Sequence, residues 1–439
     1  MTSKLPQAQM TEQSRTTDSP YERIQRWLPV VRQYLGSTGS LAFVFGSQLV
    51  TFMLLARHLG DVQFGQLMAI TATTQIAMSL CGLGADEPMV RRLVRDPSLY
   101  PKLLGHNLIL ISASGLGLTV ISIVGLYFAV PIPIQSHEHL MMISIFALSN
   151  IILFRCISLA EAIFIGRREY MWANAIVVTF AALRALTALV ATLVFRVDTL
   201  QTWAFWHGAS HVVGVLGCAM ALRTLGAPRW HIMRDEVKRG IHVIIPNFLN
   251  TMRQNVDFIV LNWVAAPGIV GNYGAASRIV QTSLMTVWSF NRIMYPRLVI
   301  AGEQGCAATF KLASRYVLVA AGLGGLTSIS LFLLSPYVAA IFGRGFIYMA
   351  TYLKILCWVV ILSAVQSVAY DSLGAVEKHG LRSLISNVSS VIGAGLVVGL
   401  TYTYGVNGTF VALFISQILS LAGVWIVFFH LSRRESFTN

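Results

Sequence analysis

Charge is scarce in this chain. Only 11% of its 439 residues are Asp, Glu, Lys or Arg, against roughly 25% in a soluble domain, which excludes an ordinary water-exposed surface. Acids are the scarcest, 18 against 32 Lys and Arg. The five cysteines, Cys81, Cys156, Cys218, Cys306 and Cys357, are far apart, with no CxxC or His-flanked spacing. That excludes a disulfide framework and a zinc site, and four of them sit inside apolar runs as packing residues. No G-x-x-x-x-G-K-[ST] loop occurs, so the chain cradles no ATP and is not a primary pump by itself. The single metal-like cluster, His137, Glu138 and His139 in SHEHL, reads as a solvated outer loop, because adjacent residues share no helical face. No cofactor is implied. A cleavable signal peptide is also missing: the first apolar run starts near Tyr34 and ends in LLARHLG, without a small-residue cleavage site.

Apolar residues are abundant instead, at 55%, with a mean hydropathy of +0.67. The composition is that of a membrane protein. Runs of about 20 residues with little charge fall near 36–56, 64–84, 104–130, 140–165, 172–195 and 202–223, then near 241–264, 272–294, 313–334, 351–372, 383–404 and 407–430. The fold class is therefore an all-α polytopic membrane protein with about twelve transmembrane helices. Positive charge tests the count, since short cytoplasmic loops hold it. Alternate loops and the two termini carry 24 of the 32 Lys and Arg, the other face carries only Arg57, Arg196, Arg344 and Lys354, and four arginines lie inside spans. Both termini are then cytoplasmic. The formal charge of +14 records topology and implies no nucleic-acid partner.

The longest loop, 225–240, separates six helices from six. The expected organisation is a cytoplasmic tail and interfacial segment (1–34), an N-terminal six-helix lobe (35–224), a cytoplasmic linker (225–240), a C-terminal six-helix lobe (241–432) and a short cytoplasmic tail (433–439). Residues 1–20 are polar and too poor in apolar groups to pack, which predicts disorder, and YERIQRWLPVVRQYL (21–35) mixes Arg with Trp, Leu and Val like a segment lying on the membrane surface. LGDVQFGQL after helix 1 and APGIVGNYG after helix 7 hint at a repeat, each a small-residue turn into the next helix. Two bundles around a midplane cavity is a recurring transporter plan.

Four arginines sit at membrane depth. Counting inward from the helix ends places Arg155, Arg184 and Arg253 on one level near the bilayer middle, with Asp257 and Arg278 about one turn further out. Each such charge costs roughly 2.5–3.5 kcal/mol on insertion scales. Asp257 can pair with Arg253 or with Arg278 as a structural contact, or exchange a proton. No acid lies at helical spacing from Arg155 or Arg184, so the level keeps excess positive charge and suits an anionic ligand. Guanidinium matches phosphate or carboxylate bidentately. Glu161 and Asp371 occupy matching places near the cytoplasmic ends of helices 4 and 10, where they either bind a coupling ion or pair with loop arginines. His211 in helix 6 reads as a neutral polar contact to another helix. Pro246 and the glycines of helices 9 and 11 permit bends or close packing.

Four stretches carry a resemblance: LLARHLGDVQFGQLMAI (54–70), GLGADEPMVRRLVR (82–95), EAIFIGRREYMWAN (161–174) and VDFIVLNWVAAPGIVGNYGAASRI (256–279). With their order and the twelve-helix topology, the chain resembles the Wzx-type polysaccharide flippases of the multidrug/oligosaccharidyl-lipid/polysaccharide (MOP) exporter superfamily over residues 35–432. What the resemblance implies is a MATE/MOP-like fold that moves undecaprenyl-pyrophosphate-linked oligosaccharide from the cytoplasmic to the periplasmic leaflet of the bacterial inner membrane by alternating access, for O-antigen, lipopolysaccharide or exopolysaccharide biosynthesis. Other polysaccharide assembly proteins are implied as partners. Arg155, Arg184, Arg253 and Arg278 would form the cationic substrate cavity, with Asp257, Glu161 and Asp371 as coupling or structural acids. The alternative is an ion-coupled multidrug exporter of the MATE type, although an Arg-rich midplane does not suit a cation. A membrane-embedded polymerase or glycosyltransferase fits least, because every outer loop is short, and the chain is read as no enzyme.

Overall fold

The computed structural model describes residues 20–129 and 137–436, with side chains described over 39–127 and 137–434. Among the described residues every regular element is helical: α1 (Pro20–Leu80), α2 (Asp86–Arg95), α3 (Tyr100–Ala129), α4 (His137–Leu148), α5 (Phe154–Gly166), α6 (Tyr170–Leu189), α7 (Leu200–Arg223), α8 (Arg234–Val264), α9 (Pro267–Ser283), α10 (Met285–Gly302), α11 (Cys306–Phe342), α12 (Met349–Leu356), α13 (Trp358–Ala375) and α14 (His379–Ser436). The expectation for residues 1–19 lies outside the described residues. The surface segment 21–35 is helical and continuous with the first span.

A straight helix of α1's 61 residues would be about 90 Å long, some three times the hydrocarbon core. It breaks at Gly60 (φ 74°), a left-handed conformation that glycine adopts without steric cost. Phe52 and Phe64 meet edge to face across the break, so its two arms fold back on each other. α14 does the same at Gly405 (φ 61°), and beyond that turn the arms are so close that a Cβ on Gly408 would lie 1.8 Å from the Leu400 carbonyl. α4 and α5 form one span through a π-turn at Ser149–Leu153, while α9–α10 and α12–α13 are single spans broken at residues 284 and 357. All twelve spans read from the sequence therefore lie in helices.

Among the described residues, eight helical segments are long and apolar enough to cross a membrane, two of them being the double-armed ones. α8 and α9–α10 fall outside that group because they are richer in polar residues, several of which are turned into the protein. Asn255, Asp257, Asn262, Asn272 and Arg278 are all buried there. Where protein replaces lipid as the surroundings, the apolar requirement on a span relaxes.

The earlier and later helices meet along α1, α8 and α9. The two repeat-like fragments, one from each half, pack directly on each other: a Cβ on Gly65 would stand 2.0 Å from the Pro267 carbonyl, and one on Gly271 would stand 2.0 Å from the Asp61 carbonyl. Their glycines thus serve close backbone approach. Toward the basic end of the spans the contact recurs, where a Cβ on Gly240 would meet the Leu83 carbonyl at 2.3 Å. There Arg92 reaches the buried Glu236 at 2.9 Å. The five cysteines are free thiols.

SHEHL departs from its sequence reading. His137, Glu138 and His139 open α4 as its first turn and are not loop, and no group of metal-ligating side chains occurs among the described residues. His139 faces Gln201 at 3.4 Å across to α7.

Candidate substrate cavity

Three cavities are linked by shared lining residues. The central one, of about 290 Å³, is lined from α1, α4–α5, α6, α7 and α8. Its walls follow helical spacing: Gln48, Thr51 and Leu55 on the first arm of α1, Thr71, Gln75 and Met78 on the second, and Thr251, Gln254 and Asn255 on α8. Arg184 of α6 projects into it, and no carboxylate lines it. A smaller cavity of about 140 Å³ shares Gln48, Thr51, Phe154 and Arg184 and adds Glu161. A larger one, of about 580 Å³, lies between α8, α10, α13 and α14, and Gln254 lines both it and the central one.

Arg184 is the exceptional residue. Its guanidinium lies 5.9 Å from the Phe180 ring centre, and among the described residues it has neither a hydrogen bond nor an ion pair. Around it the polar groups are organised. His207 Nε2 meets Asn150 Oδ1 at 2.9 Å, Asn150 Nδ2 donates to Thr74 Oγ1 at 3.0 Å, and His211 Nδ1 is 2.8 Å from the His207 carbonyl. The π-turn before α5 carries Asn150 into this network, a local widening that recurs at functional sites. The hydrogen bonds of His211 stay within its own helix while its ring meets Phe180 of α6 at 5.1 Å, and His207 makes the polar cross-helix contact expected of His211.

The expected single level of four arginines is divided. Arg155 is a correction: its Nη2 pairs with Asp86 Oδ1 at 2.7 Å, so it is neutralised and lies outside the three cavities. Helix counting missed this acid because α1 stops at Leu80. The CGLG turn that follows, with Gly82 at φ 75°, Leu83 at φ 52° and Gly84 at φ 69°, carries Asp86 back to Arg155. Arg278 is buried with its head near the rings of Phe52 (5.2 Å) and Phe258 (5.8 Å) and donates from Nη1 to Gln281 at 2.9 Å, while Nε and Nη2 have no hydrogen-bond partner. Arg184 and Arg278 are near enough for their charges to act on each other. Arg253 lines the large cavity and makes no ion pair among the described residues.

Asp257 accepts hydrogen bonds from the Tyr273 hydroxyl and from the Phe258 amide at 2.9 Å. The direct pair with Arg253 or Arg278 is not formed: Gln281 takes one arm of Arg278, and Tyr273 occupies the carboxylate. Asp371 pairs with Arg382 at 3.8 Å, the loop-arginine alternative. Glu161 has no such partner among the described residues and faces the small cavity with Arg184. Sequence reasoning followed charges and passed over the uncharged wall. The signal was there as Gln, Thr and Asn recurring every three or four residues inside apolar runs.

A model of the family described as "Polysaccharide biosynthesis protein" matches residues 33–300. The chain belongs to this family. No curated protein matches. Solved structures place this family member among MOP-superfamily folds at low identity. It is 13% identical to a lipid II flippase, MurJ, in an inward closed conformation, over 91% of this chain and 90% of that one, with a TM-score of 0.70. It is 15% identical to an inward-facing multidrug resistance MATE family transporter, over 89% and 96%, with a TM-score of 0.66. A MOP-superfamily transporter from Pyrococcus furiosus, described as having a binding pocket of reverse polarity, is 14% identical over 91% and 96%, with a TM-score of 0.53. The family member is thus a multi-pass membrane protein of polysaccharide biosynthesis with the fold these transporters share.

Proposed function

We propose that this polysaccharide biosynthesis protein is a flippase and not an enzyme, carrying undecaprenyl-pyrophosphate-linked oligosaccharide from the cytoplasmic to the periplasmic leaflet of the bacterial inner membrane by alternating access. The observation that carries the reading is the unpaired Arg184 facing a mid-depth cavity without a carboxylate in its wall. A lone guanidinium there costs roughly 2.5–3.5 kcal/mol on insertion scales, and a phosphate offsets that cost through bidentate, charge-assisted hydrogen bonds. Arg278, within electrostatic range, adds to the same field. The Gln, Thr and Asn side chains lining the cavity replace water around the headgroup, and the polyprenyl tail stays in the bilayer. Basic loops at the cytoplasmic end attract anionic headgroups from that leaflet. An organic-cation exporter would need a carboxylate facing its ligand. In the central cavity there is none, and Asp257 is turned toward Tyr273.

The test compares binding of undecaprenyl pyrophosphate with binding of uncharged undecaprenol to the purified chain in nanodiscs. The pyrophosphate is expected to bind and Arg184→Gln to weaken it by about 10- to 100-fold, as loss of a charged hydrogen-bond partner does. Equal affinity for the two lipids, or an unchanged Arg184→Gln variant, would refute the site.

A further inference from the structure

A further cavity, of about 500 Å³, lies among the earlier helices and shares no lining residue with the three described above. Leu104 and Leu108 of α3, Leu159 of α5 and Val215 and Leu222 of α7 give it an apolar wall. That wall runs from Tyr100 to Leu108 on α3 and from Val215 to Arg223 on α7, in each case about 12 Å along the helix axis. The groove therefore reaches inward from the basic end of the spans to less than half the depth of a ~30 Å hydrocarbon core. The segment after α7 is fastened over that end. The buried Tyr100 hydroxyl lies 3.2 Å from the Leu222 carbonyl and 3.4 Å from the Gly226 carbonyl, to which it donates, and the Arg229 amide donates to the Pro101 carbonyl at 2.7 Å. The groove is thus preformed, and an apolar wall offers water few partners.

Among the described residues, charge occurs in this wall only at its mouth. Arg223, in the last turn of α7, is the one Lys, Arg, Asp or Glu that lines the groove. Its head is exposed and its side chain has neither a hydrogen bond nor an ion pair among the described residues. Lys102 follows Pro101, to which Arg229 is bonded, and both basic side chains are exposed and likewise without an ion pair among the described residues. An apolar groove of one-leaflet depth under a cationic rim complements an acyl chain under a phosphate, and basic pockets between spans on the cytoplasmic side take anionic lipid headgroups. A polyprenyl phosphate has the same chemistry, but its tail is far longer than this depth and the groove shares no wall with the cavity of Arg184. We propose that the groove binds one anionic phospholipid of the leaflet at the basic end, with an acyl chain against α3, α5 and α7 and the phosphate on Arg223. The lipid braces the segment that leads from α7 into α8.

The experiment holds the full chain in phosphatidylcholine nanodiscs and adds phosphatidylglycerol bearing a photoreactive diazirine in one acyl chain. Lipid retention is read by native mass spectrometry, and the contact site by the crosslinked peptides. One phosphatidylglycerol is expected to be retained about 10-fold or more over phosphatidylcholine, with crosslinks in the peptides holding Leu104–Leu108 and Val215–Leu222. Arg223→Gln removes the headgroup preference and, at saturating lipid, leaves the crosslinked peptides unchanged. Ala219→Phe fills the groove from its wall and removes both. Each variant keeps the melting temperature of the unmodified chain in phosphatidylcholine alone, which shows that it is folded. Equal retention of the two headgroups, a preference that survives Arg223→Gln, or crosslinks confined to other peptides overturns the site. Loss of the crosslinks on adding undecaprenyl phosphate in place of phosphatidylcholine's excess also overturns it, because the groove then takes the polyprenyl chain.

Discussion

Removing the carboxylate from Asp86 separates a structural from a substrate role for Arg155. The pair closes at 2.7 Å, with side chains 15% and 24% exposed, so it is largely withdrawn from solvent. Breaking a buried pair by neutralising one partner costs roughly 3–5 kcal/mol, because the other charge is left uncompensated. With this residual exposure, Asp86→Asn is expected at the low end, about 3 kcal/mol. Arg155→Gln leaves the more exposed of the two charges, the Asp86 carboxylate, and is expected to cost about 2 kcal/mol. The double variant Asp86→Asn/Arg155→Gln removes both charges, and its loss is expected to be smaller than the sum of the single losses by about 2 kcal/mol or more. The assay is denaturant unfolding of the purified protein, paired with translocation in proteoliposomes. Transport should follow stability and recover in the double variant. If the double variant were as stable as the unmodified chain but could not transport, Arg155 would be a substrate ligand after all.

Two further perturbations address the packing. Gly271→Ala places a Cβ about 2.0 Å from the Asp61 carbonyl, and forcing the helices apart is expected to cost about 1–3 kcal/mol, read as a lower melting temperature; an unchanged melt would mean that the helices do not approach this closely. Glu236 is 1% exposed and holds Arg92 at 2.9 Å, so Glu236→Gln is expected to destabilise by about 1–3 kcal/mol. By contrast Arg91→Gln, from an exposed pair with Glu87, should change stability by less than about 1 kcal/mol, and equal effects at the two sites would contradict the burial argument.

Much of the fold was legible because lipid leaves few options: apolar runs of span length must be helices, and the alternation of basic loops orients them. The double-armed α1 and α14 were separable in the sequence by GDVQFG and YGVNG, where glycine interrupts the run. The repeat-like fragments were visible but weak until their glycines were found packed on each other, since sequence similarity does not say which backbones touch. The site was less legible. Depth counting assumes that a helix continues to the edge of its apolar run, and at Leu80 it does not, which hid Asp86 from Arg155. Asp257 and Arg278 share a level in the sequence count, but Tyr273 and Gln281, sixteen residues from Asp257 and three from Arg278, take the bonds that a charge count assigns to the pair. Arg184 and Arg253 face cavities through rotation about their helix axes, a coordinate that an apolar run with sparse polar residues fixes poorly.

The most direct measurement is translocation in proteoliposomes of a fluorescent undecaprenyl-pyrophosphate oligosaccharide, beside an organic dye cation, by the unmodified chain and by Arg184→Gln. The account predicts movement of the lipid-linked sugar that falls at least about 10-fold in the variant, with no dye transport by either. Dye efflux without lipid movement, or lipid movement untouched by Arg184→Gln, would contradict it.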